Sequence, residues 1–517
     1  MSKYPSIFND VIGPVMRGPS SSHTAASVRI GRMAMQLFGA IPTEVIIDFD
    51  PSGSLATTYD GQGSKMGLLG GFMGFEADDI RLLEVESIAQ ARGLQLHVRI
   101  LPYPNHHPNT YRMELRAPDK DVMMITALST GGGMIEVVEL DGCKISCKGG
   151  AYEYFFYTDS SGNVPQIIHQ TSVRPLRSEE VAQMAVQYGT SKVRITHPVL
   201  PILDKNDFAP PFITSAQMIE YAQEHKCNHL WELAVHYEGC RGGIPKTKVF
   251  EMMREVVVKI KESVEAGLEG SHYHDRILDC QVLKFREALA SGKLLSGSLM
   301  NRIIACTISM MEVKSSMGVI VAAPTAGSCA VLPGTVLGTA KELNLSVEEA
   351  AKAMLSAGMI GVLIAQHATF AAEVGGCQAE CGAGSGMAAA ALVELSGGEV
   401  QEAVTASSFA LQNILGMVCD PVANRVEVPC MGKNVMAAMN ALSSANMALA
   451  GIDAVIPLDE VIVAMDKVGR MLPYELRCTG YGGLSVTPTA KEIEKKIPLS
   501  LYQATVAKPH NNQNITK

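Results

Sequence analysis

Aromatic side chains are scarce: Phe, Trp and Tyr together make up 5% of the 517 residues. Large rings therefore cannot fill the interior. Gly (47), Met (28) and many Ala must do so, which favours closely packed helices with small residues at their contacts. Charge is also sparse, at 18%, and no Lys/Arg-rich run occurs. With a net charge of −9, the chain lacks the basic footprint of a nucleic-acid binder. An anionic substrate would need locally placed donors rather than a global field. The opening "MSKYPSIFND" has no apolar signal-peptide region. The 12 cysteines are accordingly expected as reduced thiols in a cytoplasmic protein. No internal repeat is visible, and no compact Cys-rich motif. Two uncharged runs, 315–340 and 353–372, are long enough to suggest membrane spans. Pro324, Thr325, Ser328 and Pro333 interrupt the first, and Gln366, His367 and Thr369 the second. Both read as buried helices and loops, with no membrane partner.

What is present divides in two. Residues 43–50, 94–101, 111–117 and 134–142 have strand-like alternation or β-branched content, with helical patterns around 25–38 and 84–92. This predicts an α+β domain over 1–157. A linker with a short helix follows over 158–211, rich in Pro, Gly and Asp. A larger all-α catalytic domain is expected over 212–500, because apolar spacing there is helical almost throughout. A polar tail, 501–517, is expected to be disordered.

Three features carry chemistry. "MRGPSSSHTA" (16–25) places Ser20, Ser21, Ser22, His23 and Thr24 before an apolar-periodic stretch. One helix cap needs one hydroxyl. A run of them beside an imidazole reads equally as a cap or as an anion cradle at a helix N-terminus. "VGGCQAECGAGSGM" holds Cys377 and Cys381, and "GMVCDPVANRVEVPC" holds Cys419 and Cys430. Thiols in Gly/Pro-rich loops suit an iron–sulfur cluster better than zinc, which favours tight Cys-x-x-Cys pairs. Cys143, Cys147, Cys227, Cys240, Cys280 and Cys306 lie in ordinary surroundings, and most of them read as buried inert thiols.

Together with "HPNT" (107–110), "GGG" (131–133), "AAPTAGS" (322–328), "CDPVA" (419–423), "VEVPC" (426–430) and "TGYGGL" (479–484), these segments resemble the iron–sulfur-dependent L-serine dehydratases. The resemblance covers about 7–155 and 213–495, with β and α subunits fused in that order. It implies a 4Fe–4S cluster held by Cys377, Cys419 and Cys430, with one iron left open to substrate. It implies that Ser20, Ser21, Ser22, His23 and Thr24, with Asn109 and Thr110, hold the substrate carboxylate. The expected reaction is β-elimination from L-serine to pyruvate and ammonia. L-threonine, L-cysteine or a related β-substituted acid is the alternative substrate, and a non-catalytic cluster-containing sensor is the alternative class. The partners expected are a small-molecule substrate and a second copy of the chain, as a homodimer.

Several motif positions depart from the family. Its G-H-x-T-D is here "GQGSK", so Gln62 stands where the candidate α-proton base belongs, and an amide is not a base near neutral pH. Its R-E-T is "RCT", with Cys478 in the acid's place, and its N-N-A-S is "QHAT", which brings in His367. Two replacement bases are open, His367 ahead of Lys65. His367 also reads as a satisfied core histidine, Lys65 as a solvated surface lysine, and Cys381 as helix packing.

Overall fold

The computed structural model describes residues 4–104, 107–158, 165–204, 209–274 and 276–497. The expected disordered tail lies outside these residues. The N-terminal part contains strands β1 (Val15–Met16), β2 (Glu44–Phe49), β3 (Gln95–Ile100), β4 (Thr110–Arg116), β5 (Met123–Gly131), β6 (Met134–Leu140) and β7 (Cys143–Cys147). Its helices are α1 (Ala26–Phe38), α2 (Leu55–Thr58), α3 (Ser64–Phe72) and α4 (Val85–Ala91). Six strands form one sheet in the order β3-β2-β4-β5-β6-β7, antiparallel except for the β2–β3 pair. The parallel pair follows from the helical crossover through α2, α3 and α4. β5 alternates buried and half-buried residues along its whole length, so one face of the sheet packs under α1 and the other is wetter.

α1 and α3 meet through glycine. A Cβ on Gly31 would lie 2.6 Å from the Leu68 carbonyl oxygen, so the two backbones touch there with no side chain between them. Gly39, at φ 74°, ends α1 in the left-handed conformation and donates its N–H to the Met35 carbonyl at 2.9 Å.

The segment expected to be a linker is folded. β9 (Gln166–Ser172), α5 (Ser178–Gln187) and β10 (Lys192–Thr196) lie here, and with β8 (Tyr152–Thr158) the strands form a second sheet in the order β10-β8-β9. Only the helix was legible. β9 and β10 are short and mostly half-buried, so neither has the clean alternation of a strand packed on a core. Their partner, β8, falls almost wholly before this segment, at the end of the expected α+β domain.

The remainder is helical, as expected: α6 (Ser215–His225), α7 (Leu230–Gly242), α8 (Lys246–Leu268), α9 (Gln281–Ala290), α10 (Ser298–Ser315), α11 (Val331–Leu343), α12 (Val347–His367), α13 (Ala372–Gly375), α14 (Cys381–Leu395), α15 (Val400–Gln412), α16 (Cys430–Leu449), α17 (Leu458–Met471) and α18 (Pro488–Lys496). One strand interrupts it. β11 (Ile320–Val321) pairs antiparallel with β1 and ties the two parts together. α14 is the central helix, buried from Cys381 to Val393 and packed against α11, α12, α15 and α16. Its Gly and Ala residues permit this: Cβ atoms on Gly382 and Gly386 would meet Ile414 at 2.6 Å and Leu411 at 3.0 Å. The scarcity of aromatics thus corresponds to close helix packing. The two uncharged runs are interior segments of this bundle. Among the described residues, no helix is long and apolar enough to cross a membrane.

Candidate active site

The Ser/His/Thr run forms a tight π-type turn, Ser21–Ala25, leading into α1. Ser20, at its N-cap, makes no capping hydrogen bond. The hydroxyls instead surround His23, which is fully buried. Its Nδ1 lies 3.1 Å from Ser20 Oγ and 3.0 Å from Ser22 Oγ, and its Nε2 lies 2.7 Å from Thr58 Oγ1. Thr24 donates to the Gln62 carbonyl at 2.9 Å and Thr110 to the His107 carbonyl at 2.8 Å, so both hydroxyls brace the backbone. Asn109 differs from them. It is fully buried, and among the described residues neither Nδ2 nor Oδ1 has a hydrogen-bond partner. A buried, unsatisfied amide is costly and marks a place where a polar ligand belongs.

Burial pushes the His23 imidazole down to about 4, against the opposing pull of Glu373. Between pH 6.5 and 4 the unfolded chain binds this proton and the folded protein does not. Stability therefore falls as pH drops through that window, by at most about 1.4 kcal/mol per pH unit. His23→Gln should flatten this slope in urea melts of the cluster-free protein. A variant whose acid slope equals that of the wild type would show that the imidazole is not held neutral.

The helical part meets this turn directly. Ser22 Oγ donates to Glu373 Oε1 at 2.8 Å, and the Glu373 carboxylate lies 3.8 Å from His23 Nδ1. Ser21 Oγ accepts the Ala326 N–H at 3.1 Å. Thr325 in the same loop donates to Glu380 at 2.6 Å. Burial, with Cys377 close by, pushes the Glu380 carboxyl up to about 8, so it is largely protonated at neutral pH. The path from cradle to cysteines therefore runs through Glu373, α13 and the Gly375-Gly376 turn to Cys377. Gly376 takes φ 72°, and a Cβ there would approach the Met417 carbonyl oxygen to 2.9 Å. Only glycine fits that turn.

Cys377, Cys419 and Cys430 are all buried. They come from three segments: the turn before α14, a loop bridged to Arg477, and the first residue of α16. Cys377 is within electrostatic reach of both others. A hydrogen bond from Cys381 holds the Cys377 thiol below its ordinary range against the penalty of burial, and Lys433 adds to the effect. Burial pushes Cys430 up to about 12. The contact with Cys478 raises Cys419 further. Two cations, the half-buried Lys433 and the buried Lys314, flank the thiols. Lys433 Nζ binds Asp420 at 2.7 Å and the Val418 carbonyl at 2.6 Å, clamping the segment that carries Cys419. Lys314 donates to the Val426 carbonyl. Among the described residues, no three His, Cys, Asp or Glu side chains converge on a single metal ion. An iron–sulfur cluster sets a different requirement, since each cysteine binds a different iron and the thiols stand apart by the width of the cluster. Three buried thiols from three segments, with lysines to offset thiolate charge, fit such a group.

Other candidates fall elsewhere. His367, the last residue of α12, points Nε2 at the Ile213 carbonyl, 2.9 Å away. A carbonyl only accepts, so this nitrogen carries a proton. Lys65 is partly exposed and paired with Glu86 at 2.9 Å. Gln62 and Cys478, two of the departures from the family pattern, meet each other: Gln62 Nε2 lies 3.8 Å from Cys478 Sγ. Cys478 sits at φ 60°, a strained conformation for a residue with a side chain. Cys381 touches both Cys377 and Asn434 Nδ2, the latter at 3.6 Å. Sequence reading missed Glu373, Glu380, Lys314 and Lys433. Glu373 and Glu380 bracket the Cys377 motif, and that proximity was the available signal.

A hydroxyl cradle from an α+β part, closed against buried thiols in a helical bundle, defines a two-part enzyme. The particular family comes from comparison with known proteins. Residues 171–485 match the family described as serine dehydratase alpha chain. The probable L-serine dehydratase alpha chain of Bacillus subtilis is 44% identical over 252 residues, which is 49% of this chain and 84% of that protein. The probable beta chain of the same organism is 42% identical over 147 residues, 28% of this chain and 65% of that protein. The single-chain L-serine dehydratase of Helicobacter pylori (strain ATCC 700392 / 26695) is 26% identical over 483 residues, covering 91% of this chain and 96% of that protein. The chain belongs to the serine dehydratase family of enzymes, with beta-type and alpha-type parts fused.

Proposed function

We propose that the protein is an iron–sulfur-dependent L-serine dehydratase that releases pyruvate and ammonia. The observation that carries this reading is the buried amide of Asn109, without a partner among the described residues, together with the hydroxyl-lined turn that Glu373 joins to the Cys377 segment. In this reading Ser20 and Asn109 receive the substrate carboxylate, Ser22 gives its hydroxyl proton to Glu373 and positions that side chain, and Thr24, Thr110 and Ser21 keep the turn and its facing loop in place. Cys377, Cys419 and Cys430 would hold a 4Fe–4S cluster, which when bound supplies a Lewis acid for the β-hydroxyl. Burial of the cradle excludes water from the α-carbon and keeps His23 neutral, as a strut held by the hydrogen bond to Thr58.

The test is turnover by anaerobically reconstituted protein over L-serine, L-threonine, L-cysteine and D-serine, following 2-oxo acid and ammonia. Iron-dependent pyruvate release from L-serine is expected, and none at full iron and sulfide content would refute the reading. One observation favours a second substrate: Gln62 and Cys478 replace a histidine and an acid of the family pattern and touch each other. If they reshape the leaving-group side, L-cysteine or another β-substituted acid will exceed L-serine in kcat/KM.

Asn109 allows a sharper check. Asn109→Leu removes a buried unsatisfied amide, so the cluster-free protein should unfold at equal or higher urea concentration. Its kcat/KM should fall by about 1–3 kcal/mol, the loss of a hydrogen bond to a charged group. A variant that is less stable and equally active would show that the amide serves the fold instead.

A further inference from the structure

In β-elimination from a 2-amino acid, the α-carbon lies one bond from the carboxylate and one bond from the carbon that loses its substituent. A base for the α-proton must therefore sit between the carboxylate cradle and the thiol centre. Gln62 cannot serve, and its amide faces Cys478. His23 is held at both ring nitrogens by Ser20, Ser22 and Thr58. His367 and Lys65 are committed to Ile213 and Glu86. Asp420 is bound by Lys433 and by the Leu484 N–H at 2.9 Å. Glu380 is bound by the Thr325 hydroxyl at 2.6 Å, on the loop that faces Ser21.

Of the side chains just named and Glu373, it is Glu373 that meets both conditions. It is a carboxylate from the helical part, on the short helix that leads into Cys377, and it reaches into the cradle to touch Ser22 at 2.8 Å. It is 7% exposed, so bulk water does not compete for it. We infer that Glu373 is the base that removes the substrate's α-proton. The inference rests on the β-elimination reading above.

The step balances without an outside reagent. The Glu373 carboxylate takes the α-hydrogen as a proton, and the C–H electron pair becomes the Cα–Cβ double bond. The Cβ–O pair leaves with the hydroxyl, which becomes water on receiving the proton that Glu373 collected. Glu373 returns to its carboxylate form. The aminoacrylate released adds water and loses ammonia to give pyruvate.

The experiment compares wild type with Glu373→Gln, Glu373→Asp, His367→Ala and Lys65→Ala, each reconstituted anaerobically and assayed for iron and sulfide. Two readouts are taken: kcat with L-serine and its α-deuterated form, and exchange of the α-hydrogen of L-serine in heavy water. Glu373→Gln should keep its iron and lose about a hundredfold or more in both kcat and exchange, the usual size of a general-base contribution. Glu373→Asp, with its carboxylate one methylene further back, should keep partial activity and show a larger deuterium effect on kcat than wild type. His367→Ala and Lys65→Ala should stay within about threefold. A Glu373→Gln protein with full iron and kcat within tenfold of wild type overturns the assignment. So does a change in KM alone, which would mark a binding role. If Glu373→Gln loses iron, the deuterium effect in Glu373→Asp decides: an unchanged value overturns the base. If wild type at full iron exchanges the α-hydrogen but releases no pyruvate, the dehydratase reading fails and exchange in Glu373→Gln still judges Glu373. Wild type that does neither refutes both.

Discussion

Serine in place of Cys377, Cys419 or Cys430, one at a time, is expected to abolish iron–sulfur content and turnover together. A hydroxyl is far less acidic than a thiol and binds iron poorly, and each of these positions is buried with no nearby thiol in the same segment's geometry to replace it, apart from Cys381 beside Cys377 and Cys478 beside Cys419. Those two neighbours make the comparison informative. Cys381→Ser and Cys478→Ser should retain iron at close to wild-type stoichiometry. The measurement is iron and acid-labile sulfide per chain, with the visible absorbance of the reconstituted protein. A Cys419→Ser protein with full iron would move that ligand to Cys478 or dismiss it. Circular dichroism of the cluster-free proteins should be unchanged across the set, because a buried Cys-to-Ser change is close to isosteric.

The largest effect on stability is expected from Gly71→Ala. Alanine favours an exposed helix interior by up to about 1 kcal/mol over glycine, so α3 considered alone would gain. Here the added Cβ would overlap the Val28 carbonyl oxygen and come within 2.8 Å of Arg32 N and Gly31 Cα. All of these are backbone atoms, which cannot swing aside. The two helices must separate, opening the core between α1 and α3. We expect a loss of about 3 kcal/mol or more, in the range reserved for overpacked or disrupted cores. Because α1 begins at the Ser/His turn and α3 begins just after Gln62, kcat/KM should fall with it. A urea midpoint at or above that of wild type would mean that the helices do not approach as closely as the structure has them.

Much of this protein is written locally. The α+β-then-helical order follows from strand alternation in the first part and from 3.6-residue spacing in the second. The small-residue packing of α14 is visible in its composition. The three cysteines proposed to hold the cluster stand in recognisable Gly/Pro loops, and the Ser/His/Thr run announces a polar turn. His367 shows the limit of such reading: ten residues from Cys377 in sequence is close, yet a helix end points its ring at Ile213 instead. β9 and β10 were missed because a strand that is half-buried on a small sheet owes its existence to its neighbour, β8, rather than to its own pattern.

What the sequence by itself determined is which residues carry chemistry by type: thiols in glycine loops, hydroxyls before a helix, an amide where a histidine is expected. Spacing and residue type are local properties, and they survive without coordinates. Only the tertiary structure decided which of these groups face one another. Glu373 reaches Ser22 across 351 positions of chain, Gln62 meets Cys478 across 416, and the buried Asn109 amide has no partner among the described residues. Such encounters are settled by how two layers pack, through β1 on β11 and through the Gly131 turn against Ala371. Desolvation, which holds His23 neutral and Glu380 protonated, is likewise a property of the packed interior and of no single stretch of sequence.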